Sequence, residues 1–452
     1  MPLEDKNCIS SLPVFPGGSF SMPIHIRLLL VLLFWLGASS FSRAQGPLRF
    51  HVETLGAAHP SVALAALDAA GALEIEEAGG RRKLPAFIEL RQENRKLPAL
   101  PSRNFVLLTN GDRVPLDPEA SASLAENRLQ VWPAASLPSL RAKGLNLFAP
   151  NVVLLFWSLP EGADDADLFF AELEKQPRKR DAVYLKNGDR IEGTLVALDA
   201  KTGCTIATAA RKVQTPWSQL AGIAWNTDRQ ARLRTKKTYS RAVLDGGARV
   251  NFLEVRFEEK TRGWLGKTQF GSTLELPEAS LLALDVRQGP AVDLSDLTPV
   301  RYEHRPYLGA AWPLVKDAAA DNHPLRLFGS TYEKGLGTHA PCRVTYALDG
   351  KYQRFDAIVG IDSVTSRRGR AKAAVEIDGN RSELNGGKEL TSETAPVEMR
   401  LNVAGARILT LIVELGAFGD VQANVNWAKA RLVRSPWSVV QNRQRNEPWT
   451  TD

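Results

Sequence analysis

Cysteine is scarce, at three residues in 452. That excludes a disulfide-stapled scaffold. Cys8 lies in a leader-like segment, while Cys204 and Cys342 fall in different expected domains and read as small core residues. Long apolar runs are scarce too: the one near the start, residues 28–36, falls well short of the ~20 residues that span a bilayer. The six histidines show no metal-ligand spacing such as H-E-x-x-H. Charge of one sign is not blocked either. The net +7 is spread along the chain, densest at Arg178-Lys-Arg180, residues 232–237 and Arg367-Arg368-Gly-Arg370. Runs this short read as solvated faces and call for no nucleic acid.

What is present begins with a targeting signal. Arg27 supplies a positive region, residues 28–36 an apolar one, and Ser42-Arg43-Ala44 the small residues of a cleavage site. Residues 1–44 therefore read as a signal peptide, with Met22 an alternative start. The expected destination is secreted or periplasmic, at the cell envelope, with no membrane span after leader cleavage. A hydrophobic content of 44% and a charged content of 24% allow packed cores. The length suggests two to four domains.

Residues 45–290 carry a degenerate repeat. A unit opens on an apolar strand running into a turn, as at Phe105-Val-Leu-Leu-Thr-Asn110-Gly111, Ala182-Val-Tyr-Leu-Lys-Asn187-Gly188 and, more loosely, Arg241-Ala-Val-Leu-Asp245-Gly246. It closes on a proline before a second apolar strand, at Pro85, Pro150, Pro216 and Pro277. Asn-Gly predicts a type I′ hairpin, in which both central residues take positive φ. Four closings against three openings imply about four copies, at residues 45–160 and 181–290, shaped like small SH3- or Sm-like β-barrels. Residues 161–180 form a linker, read as a short helix because acids precede the base. Residues 436–452 read as a poorly ordered tail.

Residues 291–435 alternate with period 2, as in Val397-Glu-Met-Arg-Leu401, while Ile408-Leu-Thr-Leu-Ile-Val413 is nearly continuous, as a strand buried on both faces would be. The fold class is thus all-β: degenerate small β-barrel or hairpin repeats followed by a jelly-roll-like β-sandwich.

Six blocks in the last third are specific in order and spacing. They are Tyr332-Glu-Lys-Gly-Leu-Gly-Thr-His-Ala340, Tyr346-Ala-Leu348, Tyr352-Gln-Arg-Phe355 through Gly360-Ile-Asp362, Ile377-Asp-Gly379, Gly405-Ala-Arg-Ile-Leu-Thr-Leu411 and Trp427-Ala-Lys-Ala-Arg-Leu432. Together they resemble the NPCBM family of carbohydrate-binding β-sandwiches, with a galactose-binding-like fold. The resemblance implies a glycan or polysaccharide partner. Two departures stand out: Asn424-Val-Asn426 replaces an acidic run, and Ser363 follows Asp362 where a second acid is often found. Both remove carboxylates that a hard cation would want. No cofactor is expected, and Asp362, Asp420 and backbone carbonyls are left as the ligands of a weak structural calcium.

Gly335-Leu-Gly-Thr-His-Ala340 superficially matches a dinucleotide fingerprint. Pro341 and the alternating strand after it exclude the helix that motif needs. Sugar recognition pairs an aromatic face with planar hydrogen-bonding groups. The candidates are Trp312, Tyr332, Lys334, His339, Asp362, Asn424 and Trp427, with Trp427 also readable as core, Lys334 as solvated and His339 as a structural hydrogen-bonding residue. The expected function is an exported, non-catalytic carbohydrate-binding protein. The alternatives are a cell-envelope scaffold meeting other envelope proteins, or an enzyme, for which the front repeats offer no large catalytic domain to place two carboxylates across a cleft.

Overall fold

The computed structural model describes residues 47–435 apart from Pro85, Ala142, Arg234, Tyr307, Leu308, Thr365 and Ser366. The leader and tail expectations lie outside these residues. The described part packs as one compact unit, and its regular structure is almost all β-strand.

Most of the front half shares one apolar core, running from Phe50 to Leu284, with a smaller cluster around Phe105, Phe156 and Phe170. Its strands repeat a connection order. Arg49–Thr54 pairs with Ala58–Leu67 on one side and Phe87–Gln92 on the other, and Leu73–Glu77 and Gly80–Leu84 extend the first side. Tyr239–Leu244 sits in the same way between Arg249–Glu258 and Leu281–Arg287, extended by Gly263–Thr268 and Thr273–Pro277. The pattern recurs around Asp181–Leu185. It is broken around Phe105–Leu108, where Ser123–Ala125, Arg128–Val131 and Leu145–Phe148 make a separate run.

These copies are nested. The closing strand of the first pairs antiparallel with that of the fourth, Leu90 opposite Leu284. The closing strands of the second and third pair likewise, Leu155 opposite Ile223. Each closing strand is therefore covered on both edges, and none is left as a template for aggregation.

Two local expectations need correction. At Asn110-Gly111 and Asn187-Gly188 only the glycine takes positive φ, +80° and +88°. The asparagine side chain does the turning instead: Asn110 Oδ1 accepts from the Asp112 N–H at 3.1 Å, and Asn187 Oδ1 from Asp189 at 3.2 Å. Positive φ at two successive turn residues is found instead at Gly246-Gly247 and at Asp378-Gly379. Arg178, read as solvated, is buried. Its guanidinium donates to the carbonyls of Trp225 and Leu173, the latter at the end of helix Ala166–Lys175.

Behind the front half, two sheets face each other over a second core that includes Phe355, Leu411, Trp427 and Leu432. One sheet runs Val315–Lys316, Gly335–His339, Asn424–Arg434, Tyr352–Ile361, Val397–Asn402, with Ala291–Asp293 beside Asn424–Arg434. The other runs Arg301–His304, Cys342–Ala347, Ile408–Leu415, Arg370–Ile377, Asn380–Glu383. Leu409 to Val413 is buried throughout because its strand is central and both its faces are covered. Cys204 and Cys342 are free thiols in the two separate cores, and burial pushes both up, to about 11 and about 12.

Gly337 permits a close crossing. A Cβ there would lie 2.3 Å from the Ala318 carbonyl oxygen, so residues 318–320 can lie flat on the sheet only over a glycine. Ion pairs join the sandwich to the front half: Glu53 accepts from Arg354 at 2.7 Å and Arg400 at 2.6 Å.

Candidate functional site

The ladder between Gly335–His339 and Asn424–Arg434 puts His339 directly opposite Asn424, so both side chains point to the same face. Both are buried, at 4% and 5% exposed. Over His339 lies Trp312, from the loop after Arg301–His304. Its indole stacks on the His339 imidazole with centroids 4.5 Å apart and planes 6° from parallel, yet it stays 36% exposed.

Two hydrogen bonds hold that loop. The Tyr302 hydroxyl donates to the Trp312 carbonyl at 2.8 Å, and the Trp312 backbone N–H donates to His304 Nδ1 at 3.2 Å. The second bond makes Nδ1 an acceptor, which leaves the proton of neutral His304 on Nε2. The His304 and His339 rings are 5.6 Å apart.

His304 Nε2, His339 Nδ1 and Asn424 Oδ1 are all buried without a hydrogen bond of good geometry, although backbone groups of Ala340, for both histidines, and of Asp420, for His339, lie close enough to act on the two rings. Buried polar atoms are nearly always paired, because leaving one unpaired costs about 1–3 kcal/mol. Three such atoms near one exposed indole make a set of donors and acceptors suited to hydroxyl groups. Burial lowers the pKa of both histidines, and in His339 the neighbouring His304 lowers it further. Both imidazoles are therefore neutral at pH 7, with the Asp420 carboxylate close enough to act on them.

The sequence candidates divide into three groups. Trp312, His339 and Asn424 come together in this cradle. Tyr332 and Lys334 lie elsewhere, on the side of the sandwich that meets the front half. Lys334 is clamped between Asp296 at 2.6 Å and Asp317 at 2.9 Å. Asp362 and Trp427 are fully buried. Asp362 accepts from Asn426 Nδ2 at 2.8 Å and from the Val364 N–H at 3.0 Å, fixing the start of its loop. Trp427 fills the core between the sheets. Among the described residues no group of three or more His, Cys, Asp or Glu is placed to hold a metal ion. His304 and Tyr302 were missed because they fall outside every motif block; the only signal was a histidine on a short strand preceding a loop tryptophan.

Residues 291–433 match the NPCBM/NEW2 domain. Over 133 residues the chain is 32% identical to a protein of Renibacterium salmoninarum named "Putative endo-alpha-N-acetylgalactosaminidase". That match takes in 27% of this chain and 8% of the relative's length. Among solved structures, a CBM51 from Clostridium perfringens GH95 in complex with methyl-galactose aligns at 24% identity, over 32% of this chain and 99% of its own, with a TM-score of 0.28. The tandem CBM51 modules of the family 98 glycoside hydrolase from Streptococcus pneumoniae SP3-BS71 align at 12% identity, over 88% and 91%, with a TM-score of 0.29.

Proposed function

From the NPCBM domain at residues 291–433, we propose that this chain is an exported, non-catalytic protein that binds a glycan in the Trp312–His339–His304–Asn424 cradle. The observation that carries this reading is the partly exposed indole stacked on His339, beside the buried Asn424 oxygen that has no hydrogen bond. A pyranose offers an apolar C–H face to such a ring and hydroxyls to such an oxygen. The sandwich, residues 291–435, carries recognition, and residues 45–290 hold it in place. The leader read at residues 1–44 supports export.

A glycan array probed with the full chain, with and without a chelator, tests the reading. Selective binding to one sugar class is expected, unchanged by the chelator and about tenfold weaker or more in Trp312→Ala and in Asn424→Ala. That factor corresponds to a lost stacking contact or hydrogen bond of about 1.4 kcal/mol. A folded protein that binds no sugar, or binding that survives both substitutions, overturns it.

A further inference from the structure

A charged seam separates the front half from the sandwich. Strands Arg49–Thr54, Phe87–Gln92 and Leu281–Arg287 face Asn424–Arg434, Tyr352–Ile361 and Val397–Asn402 across it. Its acids are matched except Glu398, which lines a cavity of the seam without an ion pair among the described residues and whose charge acts on Tyr332. Glu53 has Arg354 and Arg400, and Glu89 has Lys429 and Arg431. Asp285 and Asp293 share Arg287, and Glu333 has Arg241 and Arg249. Burial works against the Glu333 charge, but the two guanidiniums hold its carboxyl down at about 2.

Two cavities open along the seam, of about 150 and 590 Å³, and both are lined by Glu89, Arg91, Lys429 and Arg431. The larger is within the ~300–1,000 Å³ typical of small-molecule sites, while Lys96, Ser330, Thr331 and Tyr332 line only the smaller. Lys429 takes a left-handed φ of 48° at an irregularity in its strand, a costly conformation for a residue with a side chain. The seam is thus a shaped feature and not loose packing.

Two cations on the wall of the smaller cavity have side chains without an ion pair or hydrogen bond among the described residues: Lys96, which is exposed, and Arg91, whose charge helps to hold the Glu89 carboxyl low. Tyr332 supplies an aromatic wall beside them, and Ser330 and Thr331 supply hydroxyls. We infer that the seam is a second saccharide site, which takes an acidic sugar residue with its anionic group at Arg91 and Lys96 and its ring against Tyr332. This site is separate from the cradle and does not rest on it. The anionic group is the carboxylate of a uronic acid or a sulfate ester.

Calorimetric titration of the full chain tests this, with a galacturonic acid trimer, its methyl ester and a sulfated galactose disaccharide as probes. At least one acidic probe is expected to bind, and the ester roughly tenfold more weakly or not at all. Arg91→Gln and Lys96→Gln should each weaken binding roughly tenfold, the scale of a hydrogen bond to a charged group. Salt at about 0.5 M should weaken it too, and Trp312→Ala should leave it unchanged. Which acidic probe binds distinguishes carboxylate from sulfate. Equal binding of acid and ester, no binding of either acidic probe, wild-type affinity in both cation variants, or loss in Trp312→Ala overturns the inference. The last result would place the anion in the cradle.

Discussion

Glu89 and Asp285 stand directly opposite each other on neighbouring strands, where the closing strands of the first and fourth repeats meet. Like charges so placed repel, and the chain answers each with different cations. Lys429 and Arg431 reach Glu89 from the sandwich, while Arg287 holds Asp285 at 3.0 Å. Burial works against the Glu89 charge, but its two cations overrule it and keep the carboxyl well below the usual range. Burial, reinforced by the Glu89 charge, pushes Asp285 up.

Removing Glu89 should therefore be costly. Glu89→Ala removes the partner of the half-buried Lys429 and one of the two partners of Arg431, which keeps Asp356, and a loss of about 1.5–3 kcal/mol is expected in urea denaturation. Glu89→Ala combined with Lys429→Met should recover part of it. Because the folded pKa of Glu89 is depressed, its stabilisation is present above the unfolded value of about 4.3 and is lost as pH falls below it. The wild type should accordingly lose Tm more steeply in acid than the double variant.

Glycan binding should follow the histidines. Burial lowers the pKa of His339 and His304, so both are neutral from pH 8 down to the ordinary histidine value of about 6.5. Affinity should be flat over that range and fall below it, where protonation of His339 removes a hydrogen-bond acceptor and places a charge beneath the indole. Asn424→Ala should weaken binding equally at every pH. Titrating the glycan selected by the array at pH 5, 6.5 and 8 checks both expectations.

At Gly337, alanine should destabilise by about 1–3 kcal/mol. The atoms it would strike, the Ala318 oxygen at 2.3 Å and the Ala319 carbon at 2.4 Å, are backbone and cannot swing aside. At Gly56 an added Cβ would meet nothing within 4 Å, so Gly56→Ala should stay within about 0.5 kcal/mol. Thermal melts of the two variants make the comparison.

His323 lies 3.1 Å from both Asp165, the N-cap of helix Ala166–Lys175, and Asp321. Partial burial opposes its charge, yet the two carboxylates raise its pKa. A raised histidine pKa gives stability that is fully present below about 6.5 and is lost as pH rises through the folded value. Tm should therefore drop between pH 6 and pH 8.5. Asp165→Asn, which keeps a good capping residue, should flatten that drop.

Much of the fold was legible because β-structure writes itself into alternation and turn residues. Residues 397–402 and the Asp378-Gly379 turn could be read directly, and so could the strands after Pro150, Pro216 and Pro277, though not the short 3-10 turn that precedes each of them. The nesting of the repeats could not: Leu90 opposite Leu284 is a long-range pairing with no local signature. The cradle was half legible. Trp312, His339 and Asn424 have the right chemistry, but Tyr332 has it too and faces the seam, because the strand Ser330–Tyr332 turns back on Leu325–Leu327. His304 entered only through a backbone hydrogen bond that no spacing encodes.

The nesting also sets a timetable. Strand Phe87–Gln92 has a finished neighbour in Arg49–Thr54 early in synthesis, but its other neighbour, Leu281–Arg287, is made some 190 residues later. At roughly 5–20 residues per second that is about 10–40 s with one edge open. Through that interval the inner pair of repeats can close on itself while the outer pair waits. A chain cut short before residue 281 would keep a complete first repeat whose naked edge is free to recruit another nascent chain.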